Sequence, residues 1–534
     1  MSLPQVAPSL TRKQKRLILL GTMLALFLGA LDQTIVATAG PIIQCRLHIA
    51  PSVYIWITAS YLVASLVMVP VYGKLSDQIG RKPILLVGLS LFLVGTLLCG
   101  LATGAPSLIA FRALQGLGAA SLFSGAFSVI ADVFLPHERA MYQGFLSAVF
   151  GMATIIGPVV GGVIASRFGW QWAFFFNLPL GLLALAVIGL RMPHILPPEA
   201  ARGGGVDVLG VLLLAVGVGP LLVALTFGRS HIAPGNPGFL WSSSEIRGLF
   251  LLSALGLIAF VLAERRAKNP IVDFSLYAQR VYGYTNAAQF LLGASFLAGI
   301  VFLPLFMVEV LGASATRAGL PLVFLSLGIS FGAATGGRMA VSRGRCKPPL
   351  LMTVGALTIA YGVMGATLAE TTSSGSISLR MLIIGLCTGP TFPLYTIAVQ
   401  NSLPRERLGV ATSGIGFARS LGQVVGLALL GTIFTSVLAA QGAAARTTSP
   451  ACESVAATSA EASAPTAAAA VAAGNTSPPR DATTRAAYTL ATARLYQISA
   501  LLALVAFLFT LAMPDVRFGP KWARPQAAPG ASAS

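Results

Sequence analysis

Leu17-Ile-Leu-Leu-Gly-Thr-Met-Leu-Ala-Leu-Phe-Leu-Gly-Ala-Leu-Asp32-Gln-Thr-Ile-Val-Ala-Thr-Ala-Gly-Pro-Ile-Ile43 is an apolar stretch with a single acid inside it. As a helix it is long enough to cross a hydrocarbon core of about 30 Å. Arg12, Lys13, Lys15 and Arg16 precede it, no small-residue cleavage site follows it, and many further apolar runs do. It therefore reads as a retained membrane helix and not as a signal peptide. Inside such a helix an ionisable group costs about 2.5–3.5 kcal/mol on insertion scales, which makes Asp32 a functional candidate by default.

The rest of the chain supports the membrane reading. Hydrophobic residues make up 55% and charged residues 10%, with a mean hydropathy of +0.82; a soluble chain carries about a quarter charged residues. Fourteen spans are read at about 17–39, 53–72, 84–101, 107–133, 141–165, 172–191, 207–227, 246–263, 283–307, 316–337, 349–369, 378–400, 409–437 and 488–513. The expected fold is an all-α integral membrane protein with both termini on one side.

The net charge of +19 raises the question of nucleic acid. Its distribution answers it. Sorted by alternating side of the membrane, 23 of the 35 Lys and Arg fall on the side of the N-terminal tail, 10 on the other, and Arg419 and Arg494 within spans. This positive-inside bias places both termini in the cytoplasm, and the chain is read as having no nucleic-acid partner. The five cysteines form no CxxC pair, so no zinc or redox motif is read and no metal or cofactor is expected. Cys45 and Cys452 both fall outside, where they can pair or remain free.

Residues 1–16 read as a cytoplasmic tail, 17–192 as a first six-helix half, 193–282 as inserted helices 7 and 8 with their loops, 283–513 as a second half, and 514–534 as a cytoplasmic tail. Within the second half, 440–485 is rich in Ala, Ser, Thr and Pro and reads as a disordered outer loop. Residues 267–282 read as a short amphipathic helix on the membrane surface. An internal repeat supports the halves. Gly73-Lys-Leu-Ser-Asp-Gln-Ile-Gly80-Arg81 returns as Gly337-Arg-Met-Ala-Val-Ser-Arg-Gly344-Arg345, Pro136-His-Glu138-Arg139 as Pro404-Arg-Glu406-Arg407, and Arg112 as Arg380, at offsets of 264, 268 and 268 residues. Duplicated halves with a midplane site between them are a transporter architecture.

Four motifs carry a resemblance. Leu31-Asp-Gln-Thr-Ile-Val-Ala-Thr-Ala-Gly-Pro41, Gly73 to Arg81, Arg112-Ala-Leu-Gln-Gly116-Leu-Gly118 and Gly157-Pro158-Val-Val-Gly161-Gly162 resemble the signatures of the major facilitator superfamily, in its fourteen-span drug:proton antiporter branch. Trp170-Gln-Trp172 with Asn177-Leu-Pro179, and Gln400-Asn-Ser-Leu-Pro404 through Arg419, resemble further stretches of that branch. The chain departs from the pattern at Gly40, usually Leu, and at Ala153, often Gly.

The resemblance implies two six-helix halves plus two central helices, alternating access, and export of small hydrophobic or cationic compounds against protons across a bacterial inner membrane. From the residues themselves, Asp32 and Arg112 lie at similar depth and can form an intramembrane pair; the alternatives are a permanently paired structural carboxylate and an arginine reaching to the outer interface. The resemblance implies a proton-coupling role for the pair. Gly73, Asp77, Gly80, Arg81 and Asp132 read either as solvated loop charges or as a gating latch, which the resemblance favours. Val341 replaces Asp77 in the second copy, so the latch is expected on one side only. Gly157, Pro158, Gly161 and Gly162 allow close helix packing, and the resemblance links them to antiport. Gln115 and Arg419 are expected to line the cavity. No GxxxxGK[ST] motif is present, which argues against ATP as the energy source. An exporter of one metabolite or siderophore is the alternative within transport; a receptor or intramembrane enzyme is the alternative outside it. Partners are thus a small molecule, protons and the bilayer. Accessory efflux proteins are possible partners that the sequence does not identify.

Overall fold

The computed structural model describes residues 11–47, 51–134, 136–193, 207–229, 239–267, 270, 272–313, 315–404, 407–441 and 482–516. Sixteen helices run through them: α1 (Arg12–Arg46), α2 (Pro51–Ile79), α3 (Arg81–Gly100), α4 (Ala105–Val133), α5 (Pro136–Arg167), α6 (Trp172–Phe175), α7 (Asn177–Arg191), α8 (Val208–Phe227), α9 (Ser244–Arg266), α10 (Arg280–Glu309), α11 (Ala315–Arg343), α12 (Lys347–Thr367), α13 (Ser374–Thr388), α14 (Thr391–Ser402), α15 (Leu408–Ala440) and α16 (Ala482–Ala512). A lone pairing of Gly228–Arg229 with Phe239–Leu240 interrupts the helical pattern between α8 and α9.

Among the described residues thirteen segments are long and apolar enough to cross a membrane, with α6–α7 and α13–α14 each counting as one. The fourteenth expected span is α5, which forms a helix of 32 residues with many small residues and three charges and a histidine in its first and last turns. Spans 6 and 12 read as single rods but are broken. At span 12 the break falls at Gly389-Pro390, where proline has no N–H for the helix ladder. At span 6 it falls at Phe176, just before Asn177 turns inward.

Large apolar side chains such as Val87, Leu182, Leu255, Ile359 and Leu508 stand on the outside of the bundle. Water would penalise this and lipid does not. Inside, the buried residues fall into clusters. One lies within residues 288–513, and two lie within 18–192. A further cluster joins Leu66 and Val67 of α2 to Leu214, Val218 and Leu222 of α8 and Phe260 of α9, with Leu421 and Val424 of α15 against it. The inserted pair α8–α9 therefore leans on the line where α2 meets α15. The connector read as an amphipathic helix is instead a 3-10 turn, Phe274–Ala278, capped by Asp273, with Leu276 buried. Five residues are too few for a stable α-helix on their own. The loop read as disordered lies, at 442–481, outside the described residues.

Among the described residues, α2 against α15 and α5 against α11 are the broadest contacts between the first six spans and the last six, with α4 against α15 and α5 against α14 beside them. The first needs Gly73. A β-carbon there would run into the Ser413 side chain. The second is close at Gly151, where a β-carbon would meet Ser330, and Ser330 Oγ donates to the Ala148 carbonyl at 3.5 Å.

Candidate functional site: a buried ion pair, a latch and a cavity

Asp32 lies in the C-terminal half of α1 with no solvent exposure. One carboxylate oxygen accepts from Arg112 Nη1 of α4 at 2.8 Å. The other accepts from Gln115 Nε2 at 2.9 Å and from Asn177 Nδ2 of α7 at 3.0 Å. Arg112 also donates through Nη1 to Gln115 Oε1 at 2.6 Å and through Nε to the Ile57 carbonyl of α2 at 3.3 Å, and its guanidinium lies over the Tyr61 ring at 4.3 Å. Gln115 Nε2 donates to Thr96 Oγ1 of α3 at 2.7 Å. Five helices of the first half thus converge on one carboxylate. A charge taken out of water is tolerable only when paired and hydrogen-bonded in this way.

The expected pairing of Asp32 with Arg112 is therefore present, and the alternative of an arginine reaching to the interface is corrected: Arg112 is among the largest fully buried side chains. Gln115 is corrected as well. It is sealed inside the carboxylate's network and is absent from the cavity wall. Asn177 carried a sequence signal, the Asn177-Leu-Pro179 stretch, but no role. Thr96 and Tyr61 carried none.

The second cluster stands at the opposite end, where the basic loops gather. Arg81 pairs with Asp77 at 2.6 Å and with Asp132 at 2.6 Å, and also meets Ser76. Gly80 makes the turn from α2 to α3 at φ +100°, a conformation open to glycine. Asp77 reaches further. Its two oxygens accept from the backbone N–H of Gly409 at 3.1 Å and of Val410 at 2.8 Å. These are unpaired donors at the positive N-terminus of α15, in the last six spans. Gly409 has hydrogen where a β-carbon would strike Asp77. Nearby, Gln143 Nε2 of α5 donates to Gln400 Oε1 of α14 at 3.1 Å. All five expected latch residues gather here; the α15 cap went unread. The repeat copy differs: Arg345 pairs at 3.5 Å with Asp515 near the chain's end, at the surface.

Gly157 of α5 lies against α1, where a β-carbon would strike Thr34, and Thr34 Oγ1 donates to the Ala153 carbonyl at 3.2 Å. Gly161 is buried in the same helix. The surroundings of Pro158 and Gly162 lie outside what is described.

Between the two sets of six spans is a cavity of about 60 Å³. Leu26, Phe123, Phe127 and Phe150 line it from the first set, and Ile329, Phe392 and Arg419 from the second. Arg419, as expected, faces it. Its Nε donates to Gln289 Oε1 of α10 at 3.0 Å, and its guanidinium lies over the Phe392 ring at 4.3 Å.

A family model described as Major Facilitator Superfamily matches residues 22–427. Multidrug transporter protein MdtP of Bacillus subtilis (strain 168) is 35% identical over 428 residues, 80% of this chain and 76% of that protein. Multidrug resistance protein 3 of the same strain is 35% identical over 422 residues, 79% of this chain and 80% of that protein. The efflux pump dotC of Dothistroma septosporum is 29% identical over 447 residues, 83% of this chain and 74% of that protein. Among solved structures, the proton:xylose symporter XylE superposes with a TM-score of 0.62 at 14% identity, covering 95% of this chain and 97% of that one, a likeness of fold alone. With a family match running from the first span into the thirteenth and the fold shared with a solved transporter of that family, the chain belongs to the Major Facilitator Superfamily.

Proposed function

We propose that the protein is a proton-coupled antiporter that exports small hydrophobic compounds from the cytoplasm across a bacterial plasma membrane by alternating access, with both termini cytoplasmic. The observation that carries the reading is Asp32, a carboxylate buried in a membrane span and held by Arg112 at 2.8 Å. Protonating it removes the charge that holds Arg112, so the network from α1 to α4 and α7 must rearrange. A proton taken from outside and given up inside is thereby tied to a change in helix packing. The multidrug names of the 35%-identical relatives, with the efflux pump dotC at 29%, support the direction of transport.

In this reading Asp77, Arg81 and Asp132 form the cytoplasmic latch. Opening to the cytoplasm parts α2 from α15 and removes two hydrogen bonds from Asp77 to the helix N-terminus. A hydrogen bond to a charged group contributes about 1.5–3 kcal/mol. The latch therefore has the size of the few kcal/mol that separate two populated conformations. Gly73 and Gly151 give the close helix contacts about which the halves move.

The test is transport by purified protein in liposomes with an imposed pH gradient and a panel of fluorescent lipophilic compounds. Accumulation that needs the gradient and collapses with a protonophore supports antiport. Accumulation indifferent to the gradient, or dependent on added ATP, rules it out.

A further inference from the structure

Among the described residues, Arg419 is a charge deep inside a span with no acid to answer it. Asp32 and Arg112 neutralise each other. Arg419 sits about ten residues into its span, roughly 15 Å at 1.5 Å per residue, which is half of a core of about 30 Å. Among the described residues no carboxylate lies within ion-pair distance of it. Its neighbours are neutral: Gln289 takes one N–H, and Phe392 covers one face. A guanidinium stays protonated, so the cavity wall carries a fixed positive charge among phenylalanines. An isolated charge at this depth is costly.

Resting on the transport reading above, we infer that the cargo is a weak acid: an aromatic or amphipathic compound whose carboxylate or phenolate pairs with Arg419. The guanidinium offers the two parallel N–H groups that match a carboxylate. A second small cavity adjoins the first through Phe392 and Arg419 and adds neutral polar groups, Thr388, Thr391 and Gln423, beside the charge. Phe123, Phe127 and Phe150 supply the surface for the ring. A cationic cargo would meet Arg419 with like charge and find no acid on the wall. The cavity is smaller than the roughly 300–1,000 Å³ of a drug-sized site, so the halves must part to admit cargo.

Three probes of one shape separate the possibilities: 1-naphthoate, 1-naphthamide and 1-naphthylmethylammonium. Binding to the detergent-solubilised protein is measured apart from uptake into liposomes. The inference expects naphthoate to bind at least about tenfold more tightly than the amide or the ammonium, with Arg419→Gln abolishing the preference and Arg419→Lys keeping part of it. Equal binding of the three, tighter binding of the ammonium, or an unchanged preference in Arg419→Gln overturns it. The wild-type comparison decides even if Arg419→Gln misfolds. Preferential binding of naphthoate with no gradient-driven uptake upholds the inference and counts against the antiport reading instead.

Discussion

Arg112 cannot be removed without stranding Asp32. Arg112→Ala leaves a buried carboxylate with only two amide donors, and breaking a buried pair by deleting one partner costs about 3–5 kcal/mol. Thermal unfolding in detergent is expected to fall well below wild type for Arg112→Ala, with Arg112→Lys in between, since lysine keeps the charge but not the fork of donors. Equal unfolding temperatures for all three would mean the pair adds nothing to stability. At this scale the sequence was informative about which residues and poor about their surroundings. A lone acid and a lone base at matched depth in apolar runs stand out without any coordinates. Asn177 and Thr96 do not, because neutral polar residues are common in spans and only the bundle decides which of them faces a carboxylate. Gln115, one turn from Arg112, was placed on the wrong surface for the same reason: spacing on α4 gives its face but not what that face meets.

Helix contacts are set by hydrogen atoms in place of side chains. Gly73→Ala puts a methyl into Ser413. It is expected to loosen the α2–α15 contact and raise labelling of a cysteine at Phe127 by a membrane-impermeant thiol reagent from the cytoplasmic side, severalfold. Adding Ser413→Gly is expected to reverse this; a double variant that stays as open as the single one would place the effect elsewhere. Gly157→Ala presses on Thr34 in the same way. Overpacking of this kind costs about 1–3 kcal/mol, read as a lower unfolding temperature that Thr34→Ser, which keeps the colliding oxygen, does not relieve and Thr34→Gly does. The glycine motifs were legible as permission for close approach. The partner was not, since Asp77 and Gly409 lie far apart in the chain and no motif links them. The breaks in spans 6 and 12 escaped notice because hydropathy reports length and not continuity.

The two sets of six spans meet through α2–α15, α5–α11 and the Gln143–Gln400 hydrogen bond. The repeat motifs point to duplicated halves, but not to how the halves differ. The spacing that carries Arg112 to Arg380 carries Asp32 to Ile300, and the counterpart of Asp77 is Val341. Asp32 and the cluster of Asp77, Arg81 and Asp132 thus lie in the first six spans, while Arg419 of the last six faces the cavity. If the copies move as bodies, Gln143→Cys with Gln400→Cys, in a background free of other cysteines and bridged by a short reducible reagent, is expected to stop transport, and reduction to restore it. Undiminished transport in the bridged protein would refute rigid-body opening at that contact. The most direct test of the coupling itself is proton movement in everted vesicles carrying Asp32→Asn. Substrate added to acid-loaded vesicles is expected to release protons with wild type and to release none with Asp32→Asn, although that variant still binds substrate; proton release at the wild-type rate by Asp32→Asn would contradict Asp32 as the coupling site.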